Sequence, residues 1–182
     1  MKAFLSISWF PTVLLAVAEE VHRFLRTIKN SARRARGLEG CLVDFDEMTV
    51  SALDPNDNRS LTVKVAGPAA LLVAKLHKIA ERADDAPHRL NDKDAHDAYR
   101  ILLTYESAVL VQGFRLMAST DTSREVTVEA AGYLARLFSD GPHSIGAIMA
   151  GRAEEGVGEP EQVSAAVSFL AADLLDELNW AV

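Results

Sequence analysis

The fold is decided by the stretch Val63-Lys64-Val65-Ala66-Gly67-Pro68-Ala69-Ala70-Leu71-Leu72-Val73-Ala74-Lys75-Leu76-His77-Lys78-Ile79-Ala80-Glu81-Arg82, in which a strand pattern gives way to a helix pattern. Pro68 suits the first helical position, because its missing N–H would have no partner there. No helix breaker follows before Ala83. We therefore predict a strand ending at Val65 and a helix over residues 69–83.

This helix has two chemically different sides. With 3.6 residues per turn, one broad face is apolar and consists of Leu72, Val73, Leu76, Ile79 and Ala80. A neighbouring stripe carries three cations and consists of Leu71, Lys75, Lys78 and Arg82. We therefore expect three positive charges to lie beside a buried surface.

The next helix is predicted from Asn91-Asp92-Lys93-Asp94-Ala95-His96-Asp97-Ala98-Tyr99-Arg100-Ile101-Leu102-Leu103. Its capping residue is Asn91 or Asp92, and Lys93 is spaced to pair with Asp97. Asp94 and Asp97 lie one turn apart. A short connection favours antiparallel packing of the two helices, which places carboxylates beside the cationic stripe. A salt-bridged helical hairpin with solvated charges explains the same spacing.

The pattern Lys75-Leu76-His77, then Arg82, then Lys93-Asp94-x-x-Asp97 resembles the second half of the AbiEii-type nucleotidyltransferases. That group includes toxins of bacterial toxin–antitoxin pairs. The resemblance covers about residues 37–104 and implies a partial nucleotidyltransferase-like fold.

The resemblance also implies roles for individual residues. Lys75 would contact the phosphates of a nucleoside triphosphate, and we add Lys78 and Arg82 as candidate phosphate ligands because they share its stripe. Asp94, or alternatively Asp97, would assist transfer of a nucleotide to RNA or to a protein hydroxyl. An antitoxin-like protein is the partner that the resemblance implies.

Family members also have a Gly-Ser turn followed by an Asp-x-Asp strand that holds magnesium, and this chain contains no Gly-Ser dipeptide. We expect it to lack that metal-binding start through truncation or divergence, with little or no turnover. Asp44 and Asp46 alternate on a predicted strand and could hold Mg²⁺ through carboxylate oxygens. A solvated pair of acids is favoured, because two carboxylates leave most ligands to be found elsewhere.

Composition indicates one core in a chain of 182 residues, of which 49% are hydrophobic. We predict a predominantly helical α+β fold divided into a basic helix over 1–36, a core over 37–104 and a helical lobe over 105–182. Three strands are expected at residues 41–45, 48–53 and 61–65, forming a small antiparallel sheet. The later helices are expected at residues 106–118, 124–138, 144–150 and 160–180.

The charge is uneven. The net charge of −7 argues against nucleic-acid binding over the whole surface. Before Gly37, however, seven Lys or Arg accompany two acids. These cations suit either RNA phosphates or the carboxyl end of a helix, and the helix end is favoured. A single cysteine, Cys41, indicates a reducing, cytoplasmic compartment.

The start of the chain, residues 1–18, has features of a secretory signal. A cytosolic helix is favoured instead, because a single basic residue precedes the apolar run and Pro11 interrupts it. The run is also too short for a membrane span, so no membrane association is expected.

Two alternatives to a transferase remain open at this stage. One is a helical module that binds a partner without catalysis. The other is a metal-independent ribonuclease that uses Arg82 and His88, although Pro87 places His88 in a loop. His77 and His96 are expected to be partly exposed pairing groups.

Overall fold

The computed structural model describes residues 35–180. The helix predicted before Gly37 and the possible signal segment lie outside these residues, apart from the last two positions of that helix. The described part is α+β and predominantly helical, as predicted.

The sheet is a single antiparallel hairpin. Strand β1 spans Phe45–Ser51 and β2 spans Ser60–Ala66, paired from Phe45 with Ala66 to Ser51 with Ser60. The predicted small antiparallel sheet is confirmed with two strands rather than three. The strand expected at residues 41–45 is wrong in all but its last residue: Glu39–Leu42 forms a 3₁₀ turn. The turn closes because the Gly40 carbonyl accepts the N–H groups of Val43 and Asp44.

The two faces of the hairpin differ, because directly opposed residues share a face. One face carries polar pairs such as Glu47 with Lys64 and Thr49 with Thr62. The other face begins with Asp46 and is otherwise apolar, with Met48, Val50, Leu61, Val63 and Val65. Four of these five apolar side chains are exposed, and Val63 is half-buried. The hairpin is therefore an amphipathic ribbon.

Six helices follow in the described chain: α1 Pro68–Asp85, α2 Asp92–Thr104, α3 Ser107–Ser119, α4 Arg124–Leu134, α5 Ile145–Arg152 and α6 Pro160–Leu178. A 3₁₀ turn, Pro87–Arg89, joins α1 to α2, and α4 continues into a π-helical turn over Ala135–Ser139. Each predicted helix in this region is confirmed, with ends displaced by a few residues. The exception is the helix expected over 124–138, whose last turn is π-helical.

Helix α1 lies at the centre of the core and packs against α2, α3 and α4. Its five predicted apolar residues, Leu72, Val73, Leu76, Ile79 and Ala80, are all buried. The spacing of Val163, Val167, Leu170, Leu174 and Leu178 predicts the core stripe of helix α6, and all of these are buried except Leu170, which is half-buried. Burial of these side chains holds the helices together, because each buried Val, Leu or Ile contributes roughly 1.5–3 kcal/mol by leaving water.

Within residues 35–180, no single helix combines the length and low charge needed to cross a membrane. Only α2 and α3 taken together meet that test, and their axes differ by 111°.

Candidate functional site

The start of α1 is attached to the base of the hairpin by Asp44. Its Oδ2 accepts the backbone N–H of Ala70 at 2.8 Å, and its carbonyl accepts the N–H of Gly67 at 2.9 Å. Gly67 permits this close approach, since a Cβ at that position would clash with the Asp44 carboxylate. This attachment satisfies an N–H in the first turn of α1 that has no helical partner.

Helix α2 begins as its sequence predicts. The side chain of Asn91 accepts the N–H of Lys93 at 3.0 Å, so Asn91 is the capping residue. The ion-pair partners come in reverse order on the two helices. Lys75, nearer the start of α1, contacts Asp97, and Arg82, nearer its end, contacts the earlier residue Asp94. The predicted antiparallel packing of α1 and α2 is therefore confirmed.

Five charged side chains meet between these helices and form what we call the α1–α2 ionic cluster: Lys75, Lys78, Arg82, Asp94 and Asp97. Asp94 Oδ1 accepts Lys78 Nζ at 2.6 Å, and Oδ2 accepts Arg82 Nη1 at 2.6 Å. Lys75 Nζ donates to Asp97 Oδ2 at 2.6 Å and lies 3.5 Å from Asp94 Oδ1. The three cations of the predicted stripe and the two predicted aspartates thus reach one place.

The two carboxylates of the cluster differ in burial. The side chain of Asp94 is 8% exposed and uses both oxygens, whereas that of Asp97 is 43% exposed. The hydrogen bond from Lys75 lowers the pKa of Asp97, against the opposing effect of partial burial. Three cations against two carboxylates leave the cluster with one net positive charge.

The pair predicted within α2, Lys93 with Asp97, does not form. Asp97 contacts Lys75 of α1 instead, and Lys93 is exposed. Side chains four residues apart interact only weakly on an exposed helix, by roughly 0.2–0.5 kcal/mol. A partly buried lysine across the helix interface therefore displaces the local partner.

The two helical histidines named from the sequence, His77 and His96, differ in burial. The prediction of a partly exposed His77 is wrong, because this ring is 4% exposed, donates from Nε2 to the Val126 carbonyl at 2.8 Å and meets Tyr133 edge-on. The prediction is confirmed for His96, which is half-buried and pairs with Glu154. His77 is therefore a structural group, since its polar atom is satisfied inside the core.

The residues named for the ribonuclease alternative have different surroundings. His88 is exposed in the 3₁₀ turn Pro87–Arg89, as expected from Pro87. Arg82 donates to Asp94 in the ionic cluster. Neither residue has a described contact that joins it to the other.

The proposed magnesium ligands do not form a metal site with other described residues. Asp44 caps α1, and Asp46 is exposed on β1 opposite Val65. Between residues 35 and 180, no three His, Cys, Asp or Glu side chains are arranged to hold a metal ion. Asp44 and Asp46 therefore do not fit the ligand set that Mg²⁺ requires, and we derive no reaction step through a metal.

Two surface depressions lie away from the ionic cluster. One, of about 450 Å³, lies between α5 and the first turns of α6, and the other, of about 600 Å³, lies beside Trp180. Neither is lined by a residue of the cluster. The cluster is thus a surface site formed by two helices, separate from these depressions.

Sequence reasoning missed three contacts that organise this region. The capping role of Asp44 joins residues 26 positions apart, and no local pattern indicates it. The same is true of Glu154, which follows α5 and binds His96 of α2. A second link between the same parts, Arg152 with Asp92, lies at 2.7 Å.

Comparison of the chain with protein-family models, with curated proteins and with solved structures gives no match. The ionic cluster is therefore the basis for inferring a function.

Proposed function

We propose that this chain is a nucleotidyltransferase-like protein that binds the phosphates of a nucleoside triphosphate at the α1–α2 ionic cluster. One observation carries the proposal: three cationic groups converge at a surface site that has a net positive charge. The resemblance of the sequence to the AbiEii-type enzymes supplies the class of ligand.

The spacing of the cations suits an anion with several charges. Lys75 Nζ and Lys78 Nζ lie 3.5 and 2.6 Å from the same oxygen of Asp94, so the two ammonium groups are at most about 6 Å apart. Their side chains are 27% and 43% exposed, which leaves both open to solvent. Adjacent phosphoryl groups of a triphosphate can bind both ammonium groups through charge-assisted hydrogen bonds.

The two carboxylates have different roles in this proposal. Asp94 is a positioning residue, because its two oxygens orient Lys78 and Arg82. Asp97 uses one oxygen for Lys75 and is the more exposed carboxylate. In a competent relative, it is therefore the better candidate for the base that accepts a proton from the hydroxyl to be modified. The described residues supply no magnesium ligand set, so we propose nucleotide binding with little or no transfer to RNA or protein.

A second candidate is a non-catalytic helical module that binds a protein partner, such as an antitoxin. The observation that favours it is that every cation of the cluster already contacts a carboxylate. In that case the cluster joins α1 to α2 and has no ligand.

Calorimetric titration with ATP, with and without Mg²⁺, separates the two candidates. We expect the wild type to bind and Lys75→Ala to lose about tenfold to a hundredfold in affinity, since a hydrogen bond to a charged group contributes about 1.5–3 kcal/mol. Lys93→Ala is the matched control: it removes the same charge from an exposed site on α2 and should bind nearly as the wild type does. Absence of binding, or equal binding by Lys75→Ala, contradicts the proposal.

Transfer is tested separately by incorporation of labelled nucleoside triphosphates into RNA and protein in the presence of Mg²⁺. We expect a signal close to background for the wild type. A clear signal that is equal in Lys75→Ala would exclude Lys75 from the reaction.

A further inference from the structure

We infer that Asp97 is an internal competitor for the phosphate ligand: its carboxylate holds Lys75 in the ligand-free protein and releases that ammonium group when a polyphosphate binds. The inference rests on the proposed function, because it concerns regulation of the same site. It assigns different tasks to two carboxylates that lie one turn apart on α2.

The contacts of the three cations differ in a way that singles out Lys75. Lys78 and Arg82 make their short contacts, both 2.6 Å, with Asp94. Lys75 makes its short contact with Asp97 and lies 3.5 Å from Asp94. Lys75 is therefore the cation whose partner can be exchanged while the rest of the cluster stays assembled.

Burial determines which carboxylate can leave. Moving Asp94 away from its partners would leave a nearly buried carboxylate unpaired, which is strongly unfavourable. Asp97 is 43% exposed, so its carboxylate can turn toward water at little cost. The flexible side chain of Lys75 can follow an incoming anion, because an ammonium group accepts partners from several directions.

This exchange favours ligands of high charge. A monophosphate must displace the Asp97 carboxylate from Lys75, and it attracts the ammonium group only slightly more strongly than that carboxylate does. A triphosphate carries more negative charge and can also reach Lys78, which lies next to Lys75. We therefore expect the site to discriminate in favour of polyphosphates over a monophosphate.

The experiment is a calorimetric titration at low ionic strength with three probes: inorganic tripolyphosphate, ATP and AMP. The proteins are the wild type, Asp97→Asn, Lys75→Ala and the double variant. Asp176→Asn is the control, since it removes the same charge from an exposed position on α6. Thermal unfolding of each variant establishes that it is folded before titration.

For Asp97→Asn we expect a gain in affinity of about threefold to tenfold for tripolyphosphate and ATP, from the lost competition and the lost charge repulsion. The gain should be smaller or absent when Lys75 is also replaced. Asp176→Asn should stay within about twofold of the wild type, because Asp176 is exposed on α6 and none of the described ion pairs joins it to the cluster.

Three results would overturn the inference while leaving phosphate binding established. They are a wild type that binds while Asp97→Asn binds no tighter, a full gain that persists without Lys75, and a gain with ATP but not with tripolyphosphate. Failure of all the proteins to bind any probe would instead refute the proposed function itself, and the inference with it.

Discussion

Replacing Asp94 by alanine tests the central structural feature of this protein, the nearly buried carboxylate that holds two cations of α1. Its side chain is 8% exposed, and it accepts Lys78 and Arg82 at 2.6 Å each. The variant would leave three cations close together with Asp97 as their remaining carboxylate in the cluster. We expect a clear loss of stability.

The size of the loss follows from opposing contributions. Each hydrogen bond to a charged group contributes about 1.5–3 kcal/mol, and two are lost. Lys78 and Arg82 are 43% and 21% exposed, however, so water replaces part of what Asp94 supplied, and the cost of burying Asp94 disappears as well. We expect a net loss of about 2–3 kcal/mol in the free energy of unfolding. In a chain of this length, that loss lowers Tm by roughly 4–12 °C.

Urea unfolding of the wild type, Asp94→Ala, Asp94→Asn and Asp97→Ala measures these differences. Asp94→Asn should lose nearly as much as Asp94→Ala, because its amide NH₂ must face either Lys78 or Arg82, donor against donor. Asp97→Ala should lose less than about 1 kcal/mol, since its ion pair is partly exposed. Equal losses for the two alanine variants, or a loss below about 0.5 kcal/mol for Asp94→Ala, would refute this reasoning.

Three further predictions follow from single contacts. Asp44→Ala should lower the free energy of unfolding by about 0.5–2 kcal/mol in urea unfolding, because the α1 cap is lost. Asp44→Asn keeps an acceptor and should stay close to the wild type. If Mg²⁺ stabilised the wild type but neither variant, Asp44 would have a metal role instead. Gly37→Ala should cost about 1–3 kcal/mol in the same assay, because φ is +93° and the new Cβ would lie 2.6 Å from His77 Cδ2; an unchanged urea midpoint would contradict this. The pKa of Asp97 is lowered in the folded state by the hydrogen bond from Lys75. The stability that its carboxylate contributes should therefore be constant from pH 7 to about pH 4 and disappear as the pH falls further. Urea unfolding of the wild type and Asp97→Asn at several pH values measures this contribution.

The elements that could be predicted from the sequence are those with local signals. Pro68 marks the start of α1, and Asn91 caps α2, because both residues act through backbone atoms of their own turn. The apolar face of α1 followed from a repeat of 3.6 residues, and burial confirmed it. The convergence of Lys75 with Asp97 was also accessible, because a short connection makes neighbouring helices antiparallel.

The failures concern interactions that depend on distant parts of the chain. A histidine beside charged residues suggests exposure, yet His77 is covered by Tyr133 and bonded to Val126 of α4. The apolar run around Cys41 favours a strand, but no neighbouring strand pairs with it, and it closes a 3₁₀ turn against α1 instead. In both cases, contacts with distant residues decided the outcome, and for the Cys41 run they overrode local β-propensity.

The sequence by itself determined where α1 and α2 lie, which of their faces are apolar and which carry charge, because backbone geometry and helical period act within a few residues. Only the tertiary structure decided that Asp94 is nearly buried between two cations while Asp97 stays half exposed with one. The two aspartates lie one turn apart on α2 and have identical side chains. Their difference lies in burial and in the number of α1 cations that each contacts, and the docking of the two helices determines both.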